Sequence, residues 1–361
     1  MKDNIILTLD AGGTNLVFNA INSDYKVVAT EKIPAPSEHI DEFIDKVIKG
    51  FTLINNDVDN GAIAISFCFP GPADYEKGII GDLENLPFFR GGVPLKDILE
   101  DRFKIPVFIN NDGDLFTLGE AINGLLPKTN QMLNDRGNSR QYKNLLGVTL
   151  GTGTGGGIAL DGYLLIGDNS AGAEINRSNN YLNRNLSIEE TLSIRGVKEL
   201  YREESGVDKD NCPEPGDIYR MAIGEIPGNK EAALKAWEIF GTVLGHSIGN
   251  AITLIDGLVV LGGGLSGAYS LFLPHAIEAL NGTFTRMDGQ QFPRLEVMAY
   301  NLEDEQSCSD FLKNEDVEIT VPGTSRRVTY TPVKKIGIGV SKLGTSEAVA
   351  VGAYAYAIKK L

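Results

Sequence analysis

The chain has 361 residues, 42 of them glycine, where a usual frequency of about 7% gives roughly 25. With 42% hydrophobic residues it can build one large or two ordinary domains with real cores, which excludes disorder. Lys and Arg total 33 against 48 Asp and Glu, a net charge of −15, so phosphate backbones and anionic membrane surfaces are poor partners. Cys68, Cys212 and Cys308 are too scattered for a disulfide framework or a clustered zinc site, and a reducing cytoplasm is the expected compartment. The apolar run Ile5–Leu9 is too short for a signal-peptide core, and no run of about 18 apolar residues follows it.

Ile5–Leu9, Leu16–Ile21 and Lys26–Ile33 predict three strands, with the turn Asp10-Ala11-Gly12-Gly13-Thr14-Asn15 after the first. From Glu38 onward Ile40, Phe43, Ile44, Val47, Ile48 and Phe51 form an amphipathic helical stripe. The apolar run Ala62–Phe69, closed by Pro70-Gly71-Pro72, predicts a buried strand. Leu95–Phe103 reads as helix, Pro106–Asn110 as strand, Leu115 to Asn123 as helix, and the polar stretch Pro127–Lys143 as a surface loop. A second strand–turn–strand unit follows: Leu146–Leu150, the run Gly151-Thr152-Gly153-Thr154-Gly155-Gly156-Gly157, and Ile158–Leu160. A long helix is expected over Lys230–Leu254, then a strand Gly257–Leu261 running into Gly262-Gly263-Gly264. Residues 285–335 are more charged and less regular, with a hairpin of Val317–Val321 against Arg327–Thr331, and an Ala-rich helix Thr345–Ile358 ends the chain. Strands alternating with helices imply an α/β fold that presents ligands at the carboxyl ends of its strands.

A glycine–threonine turn after a strand lets backbone N–H groups converge on phosphate oxygens with no Cβ in the way. Asp10–Asn15 could equally be an ordinary hairpin, and Gly262–Gly264 a generic turn. Five glycines in the seven residues from Gly151 carry an entropic cost of roughly 0.5 to 1 kcal/mol each, which argues for close approach of something to the main chain. None of the turns has a Walker lysine or GxGxxG spacing. His39, His246 and His275 are remote in sequence from all three. Asn111 and Asp112, at the end of the strand Pro106–Asn110, are the better candidates: Asp112 as proton acceptor from a sugar hydroxyl, Asn111 as donor and acceptor to its neighbours. The competing reading is that the pair only caps the next helix.

Taken in order, Asp10-Ala-Gly-Gly-Thr14, Pro70-Gly-Pro72, Asn111-Asp112 with Leu118-Gly-Glu120, Gly151–Gly157, Gly172-Ala-Glu174-Ile175, Leu261-Gly-Gly-Gly264 and Ala348–Tyr354 resemble the successive motifs of the ROK family of repressors, open reading frames and sugar kinases. The resemblance implies an actin-like, hexokinase-type fold in which two α/β domains close over sugar and ATP-Mg²⁺: a small domain of residues 1–112 plus 345–361 and a large one of 113–344. It implies that Asp10 organises Mg²⁺ through water, with Gly12, Gly13 and Thr14 at the phosphates. Gly151, Thr152, Gly153, Thr154 and Gly155 would form the opposing phosphate loop, and Gly262, Gly263 and Gly264 would floor the adenosine. Asn111, Glu174 and Glu189 would hold the sugar and Asp112 would be the general base; the alternative for each Glu is a solvated surface.

The departures lie between residues 174 and 190. Where many members carry Glu-x-x-His, this chain reads Glu174-Ile175-Asn176-Arg177, and Asn179–Glu190 lacks the family's zinc-binding cysteines, so no zinc is expected. Arg177 cannot imitate a neutral imidazole. It pairs with Glu174 or Glu189, or reaches the sugar, or points to solvent. The expected activity is ATP-dependent phosphorylation of a hexose, with glucose to glucose 6-phosphate leading and fructose, mannose, an N-acetylhexosamine or a non-catalytic sugar-sensing role as alternatives. A DNA-binding regulator is disfavoured by charge and by the four residues ahead of Ile5. The expected partners are a sugar and a nucleotide, neither nucleic acid nor membrane, with a homodimer as the candidate assembly.

Overall fold

The computed structural model describes residues 4–12 and 14–361. They divide into two units. The first takes in the chain up to Gly124, Gly157–Ala173 and Leu343–Leu361; the second comprises Leu125–Gly156 and Glu174–Lys342. The expected division, 1–112 plus 345–361 against 113–344, places the first boundary earlier and leaves out the return at residue 157.

The first unit opens with an antiparallel meander of β1 (Ile5–Ala11), β2 (Asn15–Ile21) and β3 (Val27–Pro34). Helix α1 (Ile40–Asp57) buries Phe43, Val47, Phe51 and Ile54, one stripe of its surface. Strand β4 (Ala62–Cys68) lies parallel to β1, and after the small hairpin β5 (Ala73–Asp74) and β6 (Ile79–Ile80) and helix α2 (Leu95–Phe103), β7 (Val107–Asn110) lies parallel to β4. The order β3-β2-β1-β4-β7 therefore brings the carboxyl ends of β1, β4 and β7 to one edge. Phe43, Phe69 and Phe89 pack ring on ring at 5.3 to 5.9 Å beneath that edge. Each fully buried ring contributes roughly 1.5 to 3 kcal/mol by leaving water.

Helix α3 (Asp112–Asn123) starts three residues before the expected Leu115, because Asn111 is its N-cap. The expected surface loop over Pro127–Lys143 is helix as far as Asp135, in α4 (Leu125–Asp135), and loop beyond it. Its buried residues Leu125, Thr129 and Leu133 are spaced one turn apart, a stripe too thin to stand out among polar neighbours. Strand β8 (Asn144–Leu150) ends in a turn of three residues only, since Thr154 already belongs to β9 (Thr154–Leu160), which pairs with β10 (Tyr163–Leu164). Packing explains the extra glycines: a Cβ on Gly155 would meet the Thr149 hydroxyl, and one on Gly157 would meet the Gly113 carbonyl and Thr117 hydroxyl of α3.

In the second unit α5 (Ile194–Ser205), α6 (Pro215–Ala222) and the long α7 (Lys230–Ile255) precede β11 (Leu258–Gly262), which lies parallel to β8. Helix α8 (Tyr269–Leu280) packs on α7, whose Gly241 and Gly245 meet the Phe272 and Ala276 carbonyls too closely for any Cβ, beside a cluster of Trp237, Phe240 and Phe272. Residues 285–335 are more ordered than expected. After the hairpin β12 (Thr283–Thr285) and β13 (Gln291–Pro293), they supply β14 (Met298–Asn301), α9 (Glu305–Leu312) and the anticipated hairpin β15 (Val317–Thr320) with β16 (Arg327–Tyr330). β14 becomes an edge strand, parallel to β17 (Lys335–Val340), which is in turn parallel to β11.

Helix α10 (Thr345–Lys360) belongs to the first unit and lies directly on α3. The two backbones touch at glycines: a Cβ on Gly119 would enter the Ala348 carbonyl, and one on Gly352 the Leu115 carbonyl. Overpacking such a contact costs about 1 to 3 kcal/mol. Gly352→Val is expected to lower the urea midpoint accordingly, whereas Gly216→Ala, where the Cβ position is open, is expected to leave it unchanged or raised; equal midpoints for the two variants would refute this reading of the helix pair.

Candidate functional site

At the carboxyl edge of the first unit's sheet lies a cavity of about 440 Å³. Asp10 from the end of β1, Cys68 from the end of β4, and Asn111 and Asp112 after β7 line it, together with Thr345 and Ser346 from the first turn of α10. Parallel pairing makes this convergence: Cys68 stands opposite Asn110, one residue before Asn111. The Phe69 N–H donates to the Asn110 carbonyl at 2.9 Å and the Tyr75 hydroxyl to the Phe69 carbonyl at 3.0 Å, which fixes the loop into Pro70. Thr345 and Ser346 stand at the positive end of the α10 dipole, a favourable neighbour for carboxylates.

Asn111 and Asp112 do cap α3, but only in part. The Gly113 N–H donates to Asn111 Oδ1 and to Asp112 Oδ1, each at 2.8 Å. Among the described residues the Asn111 amide nitrogen has no acceptor and the exposed Asp112 keeps a second oxygen, as a proton acceptor requires. Asn110, next to the pair in sequence and 1% exposed, has side-chain atoms with no hydrogen-bond partner among the described residues. Asp10, also exposed, presents a hard carboxylate of the kind that holds Mg²⁺ through water. Gly12 donates to the Asn15 carbonyl at 3.1 Å, and the Thr14 carbonyl accepts from Ala35, so this turn is also a tight hairpin. Gly12 lines a second cavity of about 930 Å³ that shares Ala11 and Pro70 with the first. Gly13 lies outside the described residues.

The remaining candidates belong to the second unit. Gly151 to Gly153 and Gly262 to Gly264 follow the adjacent parallel strands β8 and β11. Gly263 has φ +83° and a Cβ there would strike the Leu150 backbone, so only glycine allows the two turns to meet. Thr154 is pinned inward: its hydroxyl donates to the Leu192 carbonyl at 2.6 Å and its N–H to Glu189 Oε2 at 3.0 Å. Glu189 thus braces the glycine turn as well as facing it, and Arg195, not Arg177, pairs with it, at 3.2 Å. Gly155 lies within β9. Glu174 is exposed at the start of a single 3₁₀ turn ending at Arg177, which is exposed and makes no ion pair among the described residues.

The segment 179–190 is held by amides and hydroxyls. Asn180 Nδ2 donates to Thr191 Oγ1 at 2.7 Å and Asn180 Oδ1 accepts from Leu182 N–H at 2.9 Å. Such neutral oxygen and amide groups do not fit a tetrahedral zinc site. Sequence reasoning missed Cys68, Thr345, Ser346 and Arg195. Position at a strand end or in a helix's first turn was the available signal for the first three; nothing local marks Arg195.

The profile described as "ROK family" matches residues 6–308. An N-acetyl-D-glucosamine kinase from Photobacterium profundum is 29% identical over 276 residues, 71% of this chain and 83% of that protein. The crystal structure of a glucokinase from Parabacteroides distasonis is 46% identical with a TM-score of 0.91, covering 100% of this chain and 99% of that one. A ROK family glucokinase from Streptomyces griseus, solved with glucose and AMPPNP, shares the fold at 16% identity and a TM-score of 0.58, over 97% of this chain and 98% of that one.

Cys68 reports on the site's charge. Burial first, then the carboxylates of Asp112 and Asp10, push its thiol well above the ordinary cysteine range. It stays protonated, and the thiol form is unreactive. At pH 8, peptide mapping after iodoacetamide is expected to show Cys68 modified more than tenfold more slowly than a free small-molecule thiol, and Asp112→Asn is expected to speed it. Modification at the free-thiol rate would contradict this placement.

Proposed function

The chain belongs to the ROK family, and from that premise we propose that it transfers the terminal phosphoryl group of ATP to glucose, giving glucose 6-phosphate and ADP. It is a sugar kinase of the actin-like, hexokinase-type α/β fold. The observation that carries the assignment of roles is the cavity shared by Asp10 and Asp112 at the ends of β1 and β7. Asp112 accepts the proton of the attacking hydroxyl, the oxygen lone pair forms the new P–O bond, and the bond to the leaving ADP breaks. Asn111, with its amide donors free, orients the sugar. Asp10 is the residue that would hold Mg²⁺ through water; the ion, when bound, neutralises charge on the phosphate oxygens. The glycine turns Gly151–Gly153 and Gly262–Gly264 are the proposed nucleotide contacts, and Glu174 and Glu189 the further sugar contacts. Of these Glu189 has the better support, since Thr154 and Arg195 hold its carboxylate in place.

Glucose as acceptor is supported by the 46% identical relative named glucokinase. The relative named N-acetyl-D-glucosamine kinase supports an N-acetylhexosamine as the second reading. The exposed Arg177 makes no ion pair among the described residues and so does not compete with the sugar for Glu174, while the carboxylate of Glu189 is already held by the Thr154 N–H and Arg195.

An ADP-release assay across glucose, fructose, mannose and N-acetylhexosamines is expected to give the highest kcat/KM with glucose. A preference of tenfold or more for an N-acetylhexosamine would overturn that choice while leaving the kinase intact. Asp112→Asn is expected to cut kcat by roughly 10² to 10⁴-fold with sugar affinity by calorimetry nearly unchanged. Near-normal turnover in that variant would assign the base elsewhere.

A further inference from the structure

The second unit carries a cavity of about 780 Å³ that shares no lining residue with either glycine turn. In a chain of net charge −15, its charged lining is two arginines, Arg184 and Arg294, and no carboxylate. Arg294 is held firmly, but only by neutral groups. Nη1 meets His246 Nδ1 at 2.9 Å, and Nη2 donates to the His246 carbonyl at 2.9 Å and to Asn250 Oδ1 at 3.0 Å. The Phe284 ring lies 5.2 Å beneath the guanidinium, and Arg294 Nε is buried with no acceptor among the described residues. His246 adds no second positive charge: burial, then the Arg294 charge, lower its pKa to about 4. Tyr181 stacks on the imidazole at 3.5 Å, within 5° of parallel, and closes that side.

A half-buried guanidinium without an anionic partner is destabilising, and its planar fork matches a phosphate. We propose that this cavity binds a sugar phosphate, Arg294 and Arg184 taking the phosphate and the side-chain amides of Asn179 and Asn250 the sugar hydroxyls. The choice of a sugar phosphate over other phosphomonoesters rests on the kinase reading, because such a compound is that reaction's product. The preset guanidinium lowers the ordering cost of binding. Tyr181 and Phe284, both more than two-fifths exposed, offer apolar faces to the sugar ring.

The chain has three histidines, so the imidazole proton signals of His246 can be followed individually by NMR in the full chain. Adding glucose 6-phosphate is expected to shift the His246 signals and leave those of His275, which lines none of these cavities, in place. The dissociation constant is expected to rise at least tenfold in Arg294→Gln and in the exposed-site variant Arg184→Gln, while kcat/KM for the sugar in Arg184→Gln stays within twofold of the parent. Equal saturation by inorganic phosphate would overturn the sugar-phosphate assignment. The absence of any His246 shift up to about 10 mM, a free energy of only a few kcal/mol, would overturn the site itself. If the purified chain phosphorylated no sugar, the kinase reading would fail while the His246 titration still decided the cavity.

Discussion

Everything in the first unit hangs on the backbone-to-backbone contact between α3 and α10. Gly119 and Gly352 let the two helices approach until carbonyls replace side chains at the interface. A third glycine, Gly157 of β9, lets that strand press on the opening turn of α3. The consequence is chemical. The start of α3 carries Asn111 and Asp112, and the start of α10 carries Thr345 and Ser346, so one packing constraint delivers both to the same cavity. A chain that could not bring the sixteen residues of α10 onto α3 would leave Asp112 on an unsupported helix end.

The electrostatics follow from that placement. Two exposed carboxylates, Asp10 and Asp112, sit within reach of one thiol, whose acidity they and burial suppress together. The acidic character of the whole chain thus has a local counterpart in the cavity that Asp10 and Asp112 line. The first turn of α10, with Thr345 and Ser346, sets the positive end of a helix dipole beside them. The opposite sign appears in the second unit, where Arg184 and Arg294 face a cavity without a carboxylate. The contrast is built by side chains far apart in sequence, and net charge conceals it.

Glycine carried the most information and was also the easiest residue to misread. Gly151 to Gly157 looks uniform on paper, yet its members do different things. The first three residues make a turn, Gly155 clears Thr149, and Gly157 clears α3. Thr154, which resembles a phosphate ligand, has its hydroxyl and its N–H already engaged by Leu192 and Glu189. The entropic cost of the run is real, but packing partners account for a good part of it.

By itself the sequence determined the α/β alternation, the strands ahead of each glycine turn, the helices α1, α7 and α10, and the candidacy of Asp10, Asn111 and Asp112. These are local signals: apolar period, turn chemistry and a polar pair at a strand end, each contained within about a dozen residues. Helix α4 stayed hidden because its buried stripe is only three residues wide. The tertiary structure alone decided that β1, β4 and β7 share an edge, that Cys68 lies among the carboxylates, that Arg195 rather than Arg177 holds Glu189, and that residues 157–173 rejoin the first unit. Each depends on strands or side chains separated by tens of residues or more, or on which of two exposed arginines the backbone brings to Glu189, and no local pattern encodes such a choice.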